Sequence, residues 1–273
     1  MGSDNSSDGV YGGFDVINIE DSYLIKFGDS SFNIKKLEWD SNMLELDLYR
    51  INNVELHSEI DYAVVSNFMK FMKSKFKKIS CLTFKVEATK TGLIQNFLRN
   101  DFVLVGLPIK LSMDLDNKIT STSNKDNIRL FKSQDIPLLS DIARNAFLNA
   151  YRYNDKNFDR DKVDNLYSEW IKNSCNGRAD AVFVYEENNI PQGFIACNIR
   201  NEIGLIDLIA VSKNARGNGV GMNLVLNSLS WFKNRVDKVE VNTEAMNYAS
   251  LRIYQKVGFK IVWVGLDMDY WFD

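Results

Sequence analysis

Short runs that alternate apolar and polar residues, or that are apolar throughout, predict the strands in the first half of the chain. They occur at Leu44–Ile51, Ile79–Val86 and Phe102–Leu115. Between these runs, apolar residues recur at helical spacing in HSEIDYAVVSNFMKFMKSKF and in KTGLIQNFLRN, as they do along one face of an amphipathic helix. The first half is therefore predicted to alternate strands with helices.

The second half continues the same alternation with more elements. Strand patterns occur at Ile128–Phe131, Ala181–Tyr185, Gly193–Ile199, Leu205–Val211, Lys238–Thr243 and in the segment that closes at Asp273, and helical spacing occurs at Ile136–Phe147, Asp161–Asn173, Gly219–Phe232 and Ala249–Val257. Strands separated by segments long enough to form helices predict an α/β (α+β) fold, in which helices cover a mixed central sheet.

Polar segments divide the chain into expected domains. Residues 1–13 are rich in Gly and Ser and are expected to form a disordered tail. The polar segment 116–126 (DNKITSTSNKD) has no aromatic residue and is the expected linker. A smaller N-terminal α/β domain is accordingly expected over residues 14–115 and a second domain over residues 127–273.

An internal similarity relates the two expected domains. VEATKTGLIQNFLRNDF, at Val86–Phe102, aligns without a gap with TEAMNYASLRIYQKVGF, at Thr243–Phe259. Both segments run from a strand end through Glu-Ala and a loop to an amphipathic helix and a phenylalanine. The similarity predicts that the N-terminal domain resembles a degenerate half-copy of the second, without the glycine-rich turn found there.

Composition and charge argue against several classes of protein. A net charge of −3 and a pI near 5.4 are unlike those of a general binder of nucleic acid or anionic membrane. No apolar run is long enough to cross a bilayer and no apolar segment near the start resembles a signal peptide, which predicts a cytoplasmic protein. Cys81, Cys175 and Cys197 are scattered and odd in number, as expected for reduced thiols. A single histidine, His57, argues against a metal site.

The stretch ARGNGVG, at Ala215–Gly221, lies between a predicted strand and a predicted helix, where glycine-rich turns commonly hold phosphate. A Walker loop would end in Gly-Lys-Ser/Thr, whereas Met222 and Asn223 follow here. A dinucleotide-binding loop belongs to the first strand–helix–strand unit, whereas this loop lies in the last quarter of the chain. Two alternatives remain: an R-x-x-G-x-G turn that binds a pyrophosphate through helix N–H groups, or a glycine-rich turn without a ligand.

The last part of the chain, from Leu205 onward, resembles the GNAT superfamily of acyl-CoA N-acyltransferases. IAVSKNARGNGVG resembles its acyl-CoA loop, and NYASLRIYQKVGF resembles the helix that follows, in the family's order and spacing. The resemblance implies an acyl-CoA co-substrate, acetyl-CoA or a longer one, whose pantetheine arm lies between two splayed parallel strands. A bulge in the first strand opens that gap. The implied contacts are Arg216, Gly217, Asn218, Gly219, Val220 and Gly221 for the pyrophosphate, the backbone of Ile209, Ala210 and Val211 for pantetheine, and Asn247 and Ser250 from the next helix start.

Tyr254 occupies the position at which many members of the superfamily carry a tyrosine near the CoA sulfur. The resemblance implies that its phenol donates a proton to the departing thiolate. The alternative is that Tyr254 packs on one face of an amphipathic helix. Attack on the thioester also requires the amine to lose a proton, and Asp155 and Glu244 are the candidate bases, with Glu87 a third if the N-terminal domain lines the sugar pocket.

Two further segments resemble nucleotide-linked aminosugar N-acyltransferases of the TDP-fucosamine acetyltransferase type. They are FLNAYRYNDKNFDRDKVDNLYSEWIKNS, at Phe147–Ser174, and LEWDSNMLELDLYRI, at Leu37–Ile51. The closing DYWF is similar to the Tyr-His-x-Trp ending of that group, although the histidine is absent. This resemblance implies an amino-deoxysugar linked to dTDP or UDP as the acceptor and a role in polysaccharide biosynthesis. Arg152, Tyr153 and Asp155 lie between two predicted helices and are expected at the rim of the acceptor site; the alternative is that they are turn and capping residues. Glu87 is a further substrate-binding candidate if the N-terminal domain lines the sugar pocket.

Other functions fit the same residues. The acceptor is alternatively another small-molecule amine or a peptide amine, and a non-catalytic acyl-CoA sensor is a third class. Tyr254 and the intact glycine loop count against a sensor. Exposed sheet edges would allow a homodimer.

Overall fold

The computed structural model describes residues 9–11, 13–19, 22–57, 62–115, 127–147 and 151–272. The expected linker, 116–126, lies outside these residues, as does most of the expected tail, although Gly9–Tyr11 near its end form a strand. The strands are β1 (Gly9–Tyr11), β2 (Phe14–Ile19), β3 (Ser22–Phe27), β4 (Ser30–Lys36), β5 (Leu48–Glu55), β6 (Cys81–Glu87), β7 (Val103–Gly106), β8 (Pro108–Asp114), β9 (Ile128–Leu130), β10 (Ala181–Glu187), β11 (Ile190–Arg200), β12 (Ile203–Val211), β13 (Lys238–Glu244) and β14 (Lys260–Trp271). The α-helices are α1 (Glu38–Leu44), α2 (Tyr62–Lys75), α3 (Thr91–Leu98), α4 (Ile136–Arg144), α5 (Tyr151–Asn154), α6 (Arg160–Asn173), α7 (Val220–Phe232) and α8 (Tyr248–Val257).

The chain forms two compact units whose limits differ from the expected domain limits. The first unit comprises Met1–Gly106 and Gly265–Asp273, and the second comprises Leu107–Val264. The difference arises because β8 pairs along its whole length with β13, in the second unit. The C-terminal part of β14 pairs instead with β6, in the first unit. Each unit therefore contains one strand from a distant part of the sequence.

The first unit is a sheet built on an antiparallel meander. β1 to β5 pair in sequence order, and β5 then runs parallel to β6. Residues Gly265–Trp271 of β14 pair with both β6 and β7. The apolar faces of α2 and α3 pack on this sheet, where Phe32 of β4 stacks on Phe68 of α2 with ring centroids 3.9 Å apart. These side chains are removed from water when the unit folds, and they form its hydrophobic core.

Two strands predicted in this region have other limits than expected. The run Leu44–Ile51 begins with the last residue of α1, because Glu45 adopts a φ of +55° that ends the helix, and β5 starts at Leu48. The run Phe102–Leu115 is divided at Leu107 into β7 and β8, which belong to different units. Hydrophobic pattern alone does not reveal either break, because the apolar residues continue across it.

The second unit is a mixed sheet in the order β9, β10, β11, β12, β13, β8 and the segment Lys260–Val264 of β14. All neighbours are antiparallel except β12 and β13, which are parallel. α7 and α8 pack on one face, where Leu224, Leu229 and Phe232 meet Ile195 of β11. α4 lies against β11 and β12, with α6 packed on it. This architecture confirms the predicted mixed α/β fold.

Strand pairing in the two units follows the same register. In the first unit Glu87 lies opposite Gly265, and in the second Glu244 lies opposite Pro108. The gapless alignment of the sequence superposes Glu87 on Glu244 and, at the same offset, Pro108 on Gly265. The other ends of these ladders correspond likewise, Cys81 with Trp271 and Lys238 with Asp114. We infer that the units arose by duplication and that each holds the closing strand of the other half.

Candidate functional site

The parallel strands β12 and β13 separate halfway along their length. They pair over only Ile203–Ile206 and Lys238–Val241. Beyond these residues β12 continues beside β11 as far as Val211, and β13 continues beside β8 as far as Glu244. The strands therefore leave a gap between their C-terminal ends, which is the geometry of the predicted splayed pair.

A β-bulge in β12 marks the point where the strands separate. Leu208 lies opposite Ala196 of β11, and Ile206 lies opposite Cys197, so that Asp207 is the extra residue. An extra residue bends its strand and changes the direction in which neighbouring side chains project. The bulge thus bends β12 where the gap opens.

Backbone groups of β12 face this gap. The Ser212 N–H donates to the Gln192 carbonyl at 2.8 Å, so these two residues form a hydrogen-bonded pair of the β11–β12 ladder. Such pairs alternate along an antiparallel ladder, so the backbone groups of Ala210 face β11 and those of Ile209 and Val211 face the gap. Of the three backbone positions expected to contact pantetheine, two are open to the gap and Ala210 stays in the ladder.

Glycines determine the conformation of the loop between β12 and α7. Gly217 and Gly219 have φ angles of +84° and +81°, which L side chains rarely adopt. A Cβ at either position would meet no heavy atom within 4 Å, so the space beside both residues is open. Gly221 has a different role, because a Cβ there would lie 3.0 Å from Ile253 Cδ1. It permits the close packing of α7 on α8.

The loop and the start of α7 together suit an anion. N–H groups in the first turn of a helix have no earlier carbonyl in the helix to bond. In α7, which begins at Val220, the Asn223 N–H bonds back to the Gly219 carbonyl at 3.0 Å, and the N–H groups before it point out of the helix start. Arg216 donates from Nε to the Val211 carbonyl at 3.2 Å, which holds its guanidinium beside the loop. Helix N–H groups with a guanidinium are a common set of donors to a pyrophosphate.

The next helix, α8, carries three predicted residues. Asn247 caps its N-terminus, with the side-chain oxygen accepting from the Ser250 N–H at 3.2 Å. Tyr254 is 2% exposed and packs edge to face on Phe259, with ring centroids 5.5 Å apart. Burial raises the pKa of the Tyr254 phenol, so the phenol keeps its proton. A protonated, buried phenol fits both the predicted proton donor and the core-packing alternative.

Two of the residues predicted at the acceptor rim, Arg152 and Tyr153, are buried. Tyr153 is 9% exposed, its hydroxyl donates to the Asp164 carboxylate, and its ring lies parallel to that of Tyr167, so it joins α5 to α6. Arg152 is 7% exposed, and its guanidinium carbon lies 4.7 Å from the centroid of the Tyr151 ring, within α5. Contact of either residue with an acceptor stays a prediction.

The candidate carboxylates lie at element ends and turns. Asp155 Oδ1 accepts from the backbone N–H of Asn157 at 2.9 Å and from its side-chain amide at 3.0 Å, which closes a turn. Glu244 Oε2 accepts from the Leu107 N–H at 3.0 Å, just before β8 begins. Glu87 ends β6 in the first unit. Asp155 and Glu244 therefore have structural hydrogen bonds, and the proposed roles of all three stay predictions.

Asp207 and Trp170 form a pair that the sequence patterns did not single out. Trp170 Nε1, on α6, donates to Asp207 Oδ2 at 3.0 Å. The Trp170 ring also packs on that of Tyr167, on the same helix. The signal for Asp207 was one acidic residue within the otherwise apolar LIDLIAV. That carboxylate is half-buried at the bulge.

Two other kinds of site were sought in the described part of the chain. There, no group of three or more His, Cys, Asp or Glu side chains is arranged to hold a metal ion. Within the same residues, no helix has both the length and the apolarity that a membrane span requires.

A split parallel pair followed by a glycine-rich helix start is the arrangement expected of a GNAT fold. Residues 141–259 match the family model described as Acetyltransferase (GNAT) family. These residues lie within the second unit and include the gap, the loop and α8. Residues 141–259 therefore carry a GNAT acetyltransferase domain.

Comparison with individual proteins agrees with this assignment. The chain is 25% identical over 126 residues to the spore coat polysaccharide biosynthesis protein SpsD of Bacillus subtilis (strain 168), an alignment that covers 46% of the chain and 44% of SpsD. The alignments span about half the length of the curated relatives that the chain matches.

Solved structures extend the similarity of fold to both units. A GCN5-related N-acetyltransferase from Sphaerobacter thermophilus superposes with a TM-score of 0.63 at 12% identity, over 92% of this chain and 81% of that one. A tandem GNAT protein from the clavulanic acid biosynthesis pathway superposes with a TM-score of 0.59 at 12% identity, over 94% and 82% of the two chains. At this identity the similarity concerns the fold alone.

Proposed function

We propose that this protein transfers an acyl group from acyl-CoA to the amine of an amino-deoxysugar linked to dTDP or UDP. The transferase activity is inferred chiefly from one observation: the gap between β12 and β13 is followed directly along the chain by a site suited to an anion. Backbone groups of Ile209 and Val211 face the gap, and the loop Arg216–Gly221 follows at once. Acyl-CoA requires both features, because its pantetheine arm carries amides and its nucleotide end carries a pyrophosphate.

The open space beside the loop supports the fit of this co-substrate. A Cβ at Gly217 or Gly219 would meet nothing within 4 Å, so a phosphate can approach the backbone closely there. The exposed guanidinium of Arg216 adds a positive charge beside the loop. These features favour a ligand over the alternative of a glycine-rich turn without one.

The proposal that the acceptor is an aminosugar is supported by similarity to other proteins. SpsD is described as a spore coat polysaccharide biosynthesis protein, and the segments at Phe147–Ser174 and Leu37–Ile51 resemble aminosugar N-acyltransferases. Because acyl-CoA and nucleotide sugars are made in the cytoplasm, we expect the reaction to occur there and to serve polysaccharide biosynthesis.

The chain's own residues would act mainly by positioning. Holding an amine and a thioester carbonyl in contact makes an otherwise bimolecular step effectively unimolecular. The Val211 N–H faces the gap and is suited to hold the carbonyl oxygen as negative charge develops on it. Tyr254, which keeps its proton, is suited to protonate the thiolate that leaves.

Release of free CoA thiol tests the proposal. The protein is incubated with acetyl-CoA or longer acyl-CoAs and a panel of dTDP- and UDP-linked aminosugars, with the matching hydroxyl sugars as blanks. Thiol release that depends on the amine, with an acylated sugar found by mass spectrometry, is the expected result. Thiol release with small amines or peptides and with none of the sugars would replace the acceptor but keep the transferase. Absence of acyl-CoA binding would refute both.

A further inference from the structure

Asp207 is the one charged residue in β12, whose sequence is otherwise apolar or glycine (IGLIDLIAV). It is the extra residue of the bulge, directly after the last pair that joins β12 to β13. The preceding side chain, Ile206, packs in the cluster around α7, whereas the Asp207 carboxylate reaches α6. The carboxylate thus lies on the face opposite α7, where the strands begin to separate.

Trp170 holds this carboxylate in one direction. Its Nε1–H donates to Asp207 Oδ2 at 3.0 Å. The indole is held in turn, parallel to the Tyr167 ring at 6.2 Å between centroids, with the Arg178 guanidinium carbon 5.1 Å from its centroid. Among the described residues no second hydrogen bond reaches Asp207, so Oδ1 is available to a substrate.

Cys197 and Arg178 are two titratable or charged groups near the Asp207–Trp170 pair. Burial, and then the charges of Asp207 and Asp180, raise the pKa of the Cys197 thiol on β11, so the thiol stays neutral. The Arg178 guanidinium lies over the indole. Trp170, the side chain that α6 presents to Asp207, does not titrate.

We propose that Asp207 receives the ammonium group of the acceptor at the gap and removes its proton, and that Trp170 is its positioning residue. This assignment rests on the transferase function proposed above and identifies the base for it. It differs from the sequence-based candidates, Asp155 and Glu244, because those carboxylates have hydrogen bonds to a turn and to the start of β8.

The acceptor nitrogen loses two protons in all. The first moves from the ammonium group to Asp207 Oδ1 and leaves a neutral amine with a lone pair. The nitrogen then forms a bond to the thioester carbonyl carbon, and the carbon–sulfur bond breaks. The second proton passes to the thiolate, through Tyr254 in the proposed function, and Asp207 returns its proton to water.

The principal test is Asp207→Asn. Asparagine keeps the shape and an oxygen that can accept from Trp170, but it cannot take up a proton. With acetyl-CoA and dTDP-4-amino-4,6-dideoxygalactose as probes, we expect kcat/KM at pH 7 to fall about 100-fold or more. The Kd for acetyl-CoA should stay unchanged. The deficit should shrink as pH rises, because more of the amine then arrives neutral.

Trp170→Phe tests the positioning role. Phenylalanine retains an aromatic ring and removes the N–H. Without this hydrogen bond the carboxylate is no longer held in one direction, so kcat should fall, by less than in Asp207→Asn, while the KM for the acceptor and the Kd for acetyl-CoA stay near their wild-type values. Asp180→Asn is the matched control. Asp180 is an exposed acid that pairs with Arg200, and its loss should leave rate and profile unchanged.

Each outcome decides the assignment. A wild-type rate and pH profile in Asp207→Asn would overturn it. So would a rate deficit that stays constant with pH and accompanies weaker acetyl-CoA binding or a lower melting temperature, because that pattern marks a structural role. If the wild-type protein acylates a small amine or a peptide instead of the sugar, the comparison is made with that acceptor. If it acylates no amine at all, the proposed function has failed and the role of Asp207 fails with it.

Discussion

Replacement of Gly219 by leucine separates a ligand-binding loop from an ordinary turn. Gly219 has a φ of +81°, and a Cβ there would have no heavy atom within 4 Å. A leucine side chain would therefore project into the space proposed for the pyrophosphate. It would also strain the backbone, so the loss of binding and the loss of stability must be measured separately.

Gly28 provides the matched control. It has a φ of +57° in the turn between β3 and β4, and a Cβ there also meets nothing within 4 Å. An L residue in this conformation costs about 1–2 kcal/mol, so Gly219→Leu and Gly28→Leu should lower the free energy of unfolding by similar amounts. Hydrogen bonds to charged groups contribute about 1.5–3 kcal/mol each, and the loss of two should weaken acetyl-CoA binding by about 100-fold or more.

Calorimetric titration with acetyl-CoA and with acetyl-pantetheine is the assay. Acetyl-pantetheine lacks the pyrophosphate, so its affinity should be the same in Gly219→Leu and in the wild-type protein. Only acetyl-CoA binding to Gly219→Leu should weaken. A folded Gly219→Leu with the wild-type Kd for acetyl-CoA would refute the loop assignment, as would an equal loss of affinity in Gly28→Leu.

Three further predictions follow from the same structure. Tyr254→Phe should lower kcat and leave the Kd for acetyl-CoA intact, and unchanged turnover would remove Tyr254 as the proton donor. Gly221→Ala should stabilise α7 by less than the roughly 1 kcal/mol that alanine contributes over glycine in a helix, because its Cβ would lie 3.0 Å from Ile253 Cδ1. Ile253→Val deletes that carbon, so in chemical denaturation Gly221→Ala should be more favourable in the Ile253→Val background than in the wild type; strict additivity would contradict the packing role. The Arg129 guanidinium lowers the pKa of the Asp135 carboxyl below its ordinary 3.8, so the stabilisation it provides is present at neutral pH and lost in acid. The difference in unfolding free energy between wild type and Asp135→Asn should therefore shrink below pH 3.8, and a difference that does not vary with pH would disprove the link.

Helices and strands that have one distinct apolar face were predictable from sequence. The helix predicted at Gly219–Phe232 is α7, Val220–Phe232, and the strand predicted at Lys238–Thr243 is β13, Lys238–Glu244. The meander β1 to β4 was not predicted. Its buried side chains, such as Ile25 and Ile34, alternate with charged and polar neighbours over short runs, and the tight turns between strands interrupt the pattern.

The candidate site also has features that were predictable from sequence and features that were not. The loop was predictable because glycine conformation and helix-start N–H groups depend on a few adjacent residues. Asp207 was not predictable, because a bulge is defined by the partner strand, and nothing within LIDLIAV reveals that Ala196 faces Leu208. The limits of the two units depend equally on partners far along the chain.

The shared closing strands govern when this protein can fold during translation. β6 receives its partner, Gly265–Trp271, only after the whole of the second unit has been synthesised, so one edge of the nascent N-terminal sheet stays uncovered until then. β8 is synthesised early and waits for β13. A gene cut between the codons for β8 and β9 would therefore encode two fragments, each bearing a strand that pairs within the other, and we expect the fragments to become native only when they are mixed.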